Sequence, residues 1–315
     1  RSMVERLPSL AALRAFDAAA RHMSFAKAAD ELHVTPAALS YQIKALEEHL
    51  GSPLFRRLNR AVELTEAGKV LAPGVKDGFQ TLAAAWRSTE RLQDNETLNV
   101  TAGPAFTAKW LAPRLFKFAQ AHPEIELRFS ASLRMMDFSR DGIDVAVRFG
   151  YGTDDGLFSM PLAEEWVAPV MTPELAMQFP TPESLTKAPL IIDHSVDFLD
   201  PPAGWSEWFA AMNVNISEIH GVQFSQGDHA VDAALAGAGI ILGRRAFVVK
   251  EISEGRLVMP FKTALGTGAL FRFLCTDGVE DQPKIKAFRE WMIAEISKTA
   301  DITAGLKIIP VGNRR

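Results

Sequence analysis

Ser24–Leu50, SFAKAADELHVTPAALSYQIKALEEHL, is the stretch on which the fold turns. Phe25, Ala28, Ala29 and Leu32 recur at i, i+3, i+4 and i+7, which predicts a short helix with one apolar stripe and Ser24 as its N-cap. His33 and Val34 make a tight turn. Thr35 then stands as N-cap with Pro36 at the first helical position, where a missing N–H costs nothing. Leu39, Ile43, Leu46 and Leu50 are expected to face inward from this second helix. Its opposite face carries Ala37, Ser40, Tyr41 and Lys44, small or hydrogen-bonding, with no acid before Glu47. Such a face suits a recognition helix in a DNA major groove.

An αα-hairpin that merely packs on a neighbour has the same spacing, so the flanks decide. Gly51 ends the second helix, and Pro53, Leu54 and Phe55 lead to Arg56, Arg57, Asn59 and Arg60 before an extended AVELT. Three arginines and no carboxylate suit a wing lying along phosphates. Taken alone, a solvated loop explains that turn as well.

From Leu7 to Gly68 the chain resembles the N-terminal DNA-binding domain of LysR-type transcriptional regulators. The resemblance rests on Phe25, Ala28, Ala29, Leu32, Ser40, Gln42, Ile43, Leu46, Glu47, Leu50, Gly51, Leu54, Phe55, Arg57, Leu64, Thr65, Ala67 and Gly68 at the family's spacings. The opening RLPSLAALRAFDAAARHMSF is similar to the subgroup typified by the glycine-cleavage activator, and within it to alphaproteobacterial regulators. Pro36 departs from the pattern, since many members carry Gln there. The resemblance implies that Ala37, Ser40 and Tyr41 face base edges, that Gln42 and Lys44 add base or phosphate contacts, and that Thr35, Arg56, Arg57 and Arg60 hold the backbone, with Pro36 shaping operator preference.

The chain has 315 residues, enough for two or three compact units, and its 48% apolar content is ordinary for a folded protein. A net charge of −4 argues weakly against nucleic acid until it is divided: residues 1–60 hold nine Lys or Arg against six Asp or Glu, so a basic head precedes an acidic body. The lone Cys275 forbids an internal disulfide. No signal-peptide pattern is visible and no apolar run approaches a membrane span, so a cytoplasmic protein without a membrane partner is expected.

Ser9 caps a first helix from Leu10 to about Arg21, whose Leu13, Phe16 and Ala20 close the small core. After the wing Thr65 caps a long helix with Leu71, Val75, Phe79, Leu82 and Trp86 along one side, and Pro73 and Gly74 predict a kink in it. The partner that suits that stripe best is the same helix of a second chain, as the family's dimers imply. Two recognition helices about 34 Å apart then read a pseudopalindromic operator on double-stranded DNA.

Beyond Gln93–Thr97 strands alternate with helices, one of them from about Phe106 to Ala121, which implies open, mostly parallel sheets with helices on both faces. AKWLAPRLFKFAQAHPEIELRF, DGIDVAVRFGYG and HAVDAALAGAGIILGRR resemble the LysR-type effector domain, a two-lobed fold similar to type 2 periplasmic binding proteins. The expected fold is therefore an N-terminal all-α winged helix-turn-helix (1–65), a long linker helix (66–92), a hinge (93–97), and a C-terminal α/β two-lobed domain (98–300) followed by a tail (301–315). Lobe I takes about 98–163 and 270–300, and lobe II about 164–268. The chain crosses near Pro161–Ala168 and returns near Leu265–Phe271.

Ligands of open α/β sheets bind beyond the carboxyl ends of the strands. Here those ends offer Gly103, Pro104, Ala105, Phe106 and Thr107, then Ser132 and Tyr151, and from lobe II His194, Ser225, Gln226 and Asp228. Helix N-termini after Gly103 and Gly227 favour a ligand with an anionic group, and Phe106 and Tyr151 supply apolar wall. Any one of these is equally an ordinary turn residue. The seven histidines show no i, i+4 pair and no spacing for a metal. Ser225, Asp228 and His229 lack the strained turn of a hydrolase, and GTG at 266–268 is too short for a phosphate loop. No catalytic residue, cofactor or metal is expected, and Cys275 reads as a small buried hydrophobe.

The resulting expectation is a LysR-type regulator controlled by a small-molecule effector between the lobes, a homodimer within a homotetramer, acting on RNA polymerase. A ligand- or redox-responsive binding protein with weak or vestigial DNA binding, and an enzyme on the two-lobed domain, are the rival readings.

Overall fold

The computed structural model describes residues 7–57, 62–91 and 96–312. It forms two compact units, Arg1–Glu90 and Arg91–Arg315.

In the first unit three helices, α1 (Leu10–His22), α2 (Phe25–Glu31) and α3 (Pro36–Leu50), precede a short antiparallel pair, β1 (Phe55–Arg57) and β2 (Val62–Leu64), and a long helix, α4 (Glu66–Arg91). The two strands form the wing expected after α3, its second strand within the extended AVELT. Each cap falls on a side chain that competes well for free helix N–H groups: Ser9, Ser24 and Thr35 accept from Ala11, Lys27 and Ala38. His33 takes a left-handed φ of 53° in the turn. Phe16, Ala28, Ala29, Leu39, Ile43, Leu46 and Leu54 are fully buried, and Phe55 packs edge-on to Phe25 at 5.3 Å.

Leu50 departs from its expected inward place. It is 52% exposed, because α3 by its last turn has run past the core. Helix α4 is assigned without a break through Pro73. Its first turn presses on the loop before β1, where a Cβ on Gly68 would lie 2.3 Å from the Leu54 carbonyl oxygen.

The second unit runs β3 (Thr97–Ala102), α5 (Pro104–Phe106), a π-helical turn (Thr107–Leu111), α6 (Leu115–Ala121), β4 (Glu126–Ala131), α7 (Phe138–Asp141), β5 (Val145–Gly150) and β6 (Leu157–Val170). It continues with α8 (Pro173–Gln178), β7 (Leu190–Asp193), α9 (Trp205–Ala211), β8 (Gly221–Phe224), α10 (Gly227–Leu235), β9 (Ile240–Arg244), α11 (Arg245–Ser253), β10 (Thr263–Thr276), α12 (Pro283–Ser297) and β11 (Lys307–Pro310). The single helix expected over 106–121 is thus three pieces. Pro113 supplies no N–H to continue it.

The strands make one mixed sheet in the order β4-β3-β5-β10-β6-β9-β7-β8, with β11 beside β10. Two parallel triplets, β4-β3-β5 and β9-β7-β8, are the sheets of the two lobes. The antiparallel pair β6 and β10 joins them, carrying the chain across and back. Between Gly266 and Leu270 this ladder slips in a bulge, and Thr267 Oγ1 donates to the Glu165 carbonyl across it. Residues 307–310, expected in a tail, pair in parallel with Thr263–Gly266. Four residues are too short for alternation to announce a strand.

One apolar core runs through both lobes, from Leu98, Trp110, Phe271 and Phe288 in lobe I to Ile191, Val231, Ile241 and Phe247 in lobe II. A second core lies mostly around lobe II and includes Trp205, Trp208 and Phe209, with Phe149 of lobe I packed against it.

Candidate functional site

On α3 the residues proposed to read DNA divide by their position around the helix. Ala37, Tyr41 and Lys44 are exposed, Tyr41 by 71%, and Ser40 is half-buried beside them. Together with Phe25 and Phe55 they line one shallow surface depression. Lys44 Nζ stands 3.6 Å from Glu48 on the same exposed face, a loose pair that leaves the ammonium in solvent. Gln42 is not on this face. A step of about 100° per residue turns it toward α1, into a groove with Arg14 and Ala38. Pro36 is exposed at the first helical position, and the exposed Thr35 hydroxyl accepts the Ala38 amide as cap while its O–H can still donate.

The wing follows directly. Arg56 is exposed in β1 and sits opposite Glu63, while Arg57 ends the strand; Arg60 and Asn59 lie outside the described residues. Glu47, the earliest acid on α3, ties that helix to the wing, because its Oε1 accepts from the Leu54 and Phe55 amides. At the other end of the hairpin Arg21 grips Glu31 through two nitrogens, with His22 as a second partner. Those hydrogen bonds, Arg21 foremost, hold the Glu31 carboxyl down to about 2.

In the second unit the expected effector residues behave differently from one another. Gly103 caps α5, but Ala105 and Phe106 are buried: Phe106 stacks on Trp110 at 5.2 Å and meets Phe271 at 4.4 Å. Phe106 is therefore core and no ligand wall, since the tight α5 turn directs it under the sheet. Pro104 opens α5 half-buried and offers no N–H. Thr107 Oγ1 is buried without a hydrogen-bond partner. Ser132 accepts from the Arg134 amide. The Tyr151 hydroxyl accepts from the Asp200 amide and donates to the Thr267 carbonyl, tying the end of lobe I to lobe II and to the bulge.

His194 is exposed and its ring is engaged by Asp197 at 2.7 Å and Gln223 at 3.1 Å. Those bonds raise its pKa, Asp197 most, and engage both ring nitrogens. Ser225 is exposed and Gln226 half-buried ahead of α10. Asp228 Oδ1 is buried and unpartnered. Helix α10 lies against α5, and Lys109 pairs with Asp232 across that contact.

At the same place the structure adds Arg244, at the carboxyl end of β9. It is 6% exposed, with its guanidinium 3.9 Å over the Phe247 ring and 5.1 Å over that of Phe149. Ser195 Oγ, in the turn after β7, is also buried without a partner.

Residues 10–69 match the family described as bacterial regulatory helix-turn-helix protein, lysR family, and residues 91–297 match the LysR substrate binding domain. The chain belongs to the LysR family of transcriptional regulators. It is 39% identical over 297 residues to the glycine cleavage system transcriptional activator of Escherichia coli K12, covering 93% of this chain and 95% of that one. It is 34% identical over 291 residues to the transcriptional activator AmpR of Citrobacter koseri, covering 92% and 99%. The effector domain of AmpR from Pseudomonas aeruginosa superposes with a TM-score of 0.53 at 27% identity, over 65% of this chain and 98% of that one.

This LysR-type regulator is a DNA-binding protein and not an enzyme. Among its described residues no cluster of three His, Cys, Asp or Glu is arranged to hold a metal, and no helix is long and apolar enough to cross a membrane. Burial pushes the Cys275 thiol up to about 12, which leaves it protonated and unreactive near neutral pH. Arg244 escaped the sequence reading although its signal was present. It ends the apolar run IILGR, and the strand-end rule that picked out residues after β7 and β8 applies equally to the parallel β9.

Proposed function

We propose that this regulator reads operator DNA with the exposed face of α3 and that a small molecule bound between the lobes controls the outcome. The observation that carries the first half is the single face formed by Ala37, Ser40, Tyr41 and Lys44 on a helix capped by Thr35. Its amino end is free of carboxylates and its side chains are short enough for close approach to base edges. Arg56 and Arg57, with Thr35 and Arg60, serve the phosphate backbone. Gln42 is left out of the base-reading set because it faces α1.

The functional unit is a dimer within a tetramer, acting in the cytoplasm on RNA polymerase. Support for pairing comes from α4. Leu71 and Val75 pack on the head's own core, whereas Val70, Leu82 and Trp86 stay exposed by 83%, 55% and 67% beside an apolar groove lined by Leu10, Leu13, Leu46, Leu50 and Phe79. A second α4 is the occupant of matching shape and chemistry.

The effector, a small molecule with an anionic group, lies near Gly103, Thr107, Ser132, Tyr151 and Asp228. The test is a mobility shift with the full-length chain and the DNA immediately upstream of its own gene. Retardation that survives excess random DNA is expected; equal competition by random DNA would overturn the reading.

A further inference from the structure

The Arg244 guanidinium has five N–H donors, yet no hydrogen-bond acceptor or ion-pair partner among the described residues reaches it. Asp193, Glu165 and Asp228 are near enough to act on its charge, but none closes an ion pair with it. Asp193 Oδ1 is already engaged by the Ser195 amide. Asp228 Oδ1 is buried and empty-handed as well. Two opposite charges thus stand near one another without meeting, Arg244 buried and Asp228 with one carboxylate oxygen withdrawn from water.

Gly227, the residue before Asp228, packs against Arg244 and Asp193. A Cβ there would sit 3.2 Å from Arg244 Nη2, 3.0 Å from Asp193 Oδ2 and 2.9 Å from the Phe247 ring. Only glycine fits this close approach, and Thr107 Oγ1 and Ser195 Oγ, from lobe I and lobe II, are further buried oxygens without a partner. Leaving a buried guanidinium or carboxylate uncompensated is strongly unfavourable. A plain anion would compensate Arg244 but place one more negative charge beside the Asp193 and Asp228 carboxylates. A plain cation would do the reverse.

Resting on the reading of this cleft as the effector site, we infer that the effector is a small zwitterion of the amino-acid type, its carboxylate taken by Arg244 and its ammonium group by Asp228. A bidentate guanidinium–carboxylate contact suits the planar fork, and the Phe149 and Phe247 rings keep water from competing.

The experiment is thermal melting of the full-length protein with each standard amino acid at millimolar concentration, beside its C-terminal amide and its deaminated acid. At least one amino acid is expected to raise Tm by about 5 °C, the size of shift that ligand well above its Kd gives a domain this large. Its amide and its deaminated acid should give no shift, and neither should the amino acid with Arg244→Gln or Asp228→Asn. Asp228 is half-exposed at a helix start, so D228N decides the matter if R244Q does not fold. No shift with any amino acid, an equal shift with the amide, or a shift that survives either substitution would overturn the inference. The mobility shift run alongside separates the two claims: DNA binding without any amino-acid response sinks only this one, and a response without DNA binding sinks only the DNA reading.

Discussion

Glu47 Oε1 lies 2.7 Å from the Leu54 amide nitrogen and 3.2 Å from that of Phe55, so one carboxylate on the recognition helix fixes the start of the wing. Charge-assisted bonds to backbone N–H groups are among the stronger ones in proteins. Glu47→Ala should therefore lower the stability of the N-terminal unit by about 1–3 kcal/mol, read as an earlier melting transition, while Glu47→Gln recovers part of the loss. An unchanged transition in the alanine variant would show that water replaces the carboxylate without cost.

Ser40 and Arg56 should fail in different ways. Ser40→Ala is expected to cost about 1–3 kcal/mol on the operator and little on random DNA, the pattern of a base contact. Arg56→Ala should weaken both and flatten the dependence of log Kd on log salt by roughly one unit. Binding titrations at several salt concentrations check both; equal losses for Ser40→Ala on the two DNAs would remove it from the base-reading set.

Leu82→Glu places a charge in the exposed half of the α4 stripe. The variant should sediment as a smaller species than the parent and bind operator far more weakly, since one head makes half the contacts. Unchanged sedimentation would move the pairing surface away from this helix.

Glu165 supplies a pH dependence. It is wholly buried in β6, its Oε2 accepts from the Ala246 amide, and burial raises its pKa from the ordinary 4.5 to about 7 against the pull of Arg244 and Arg245. The folded state therefore prefers the protonated form. The stabilising effect is complete below about pH 4.5 and disappears as pH rises through 7, up to about 3 kcal/mol in all. Denaturant unfolding should show the wild type losing stability across that window relative to Glu165→Gln, which accepts the same amide bond and does not titrate. Parallel profiles would contradict this.

Much of the architecture was legible because it depends on local rules. Ser9, Ser24 and Thr35 mark helix starts that competing backbone donors enforce, and the 3.6-residue stripe placed Leu39, Ile43 and Leu46 inward. The two crossing segments, β6 and β10, were placed by the family resemblance and not by a local rule. Illegible features depend on distant partners. Leu50 is exposed because the core ends before α3 does, and Phe106 is buried because Trp110 and Phe271 close over it. β11 exists only because β10 offers an edge to Lys307–Pro310. The site was half legible for the same reason: strand ends are visible in sequence, but whether a side chain such as His194 is already satisfied depends on Asp197 and Gln223.

The apolar core that passes without interruption from Phe271 to Phe247 also limits the kind of movement available. Two shells with separate cores swing apart on a hinge at little cost, but here a wide opening would bring the facing rings and the α5–α10 contact into water. Small sliding of packed helices, shear in place of a clamshell swing, is the inexpensive motion for such a joint. The response to a ligand should then register as tightened amide-exchange protection along α5, α10 and the bulge at Thr267, with little change in the overall dimensions of the domain.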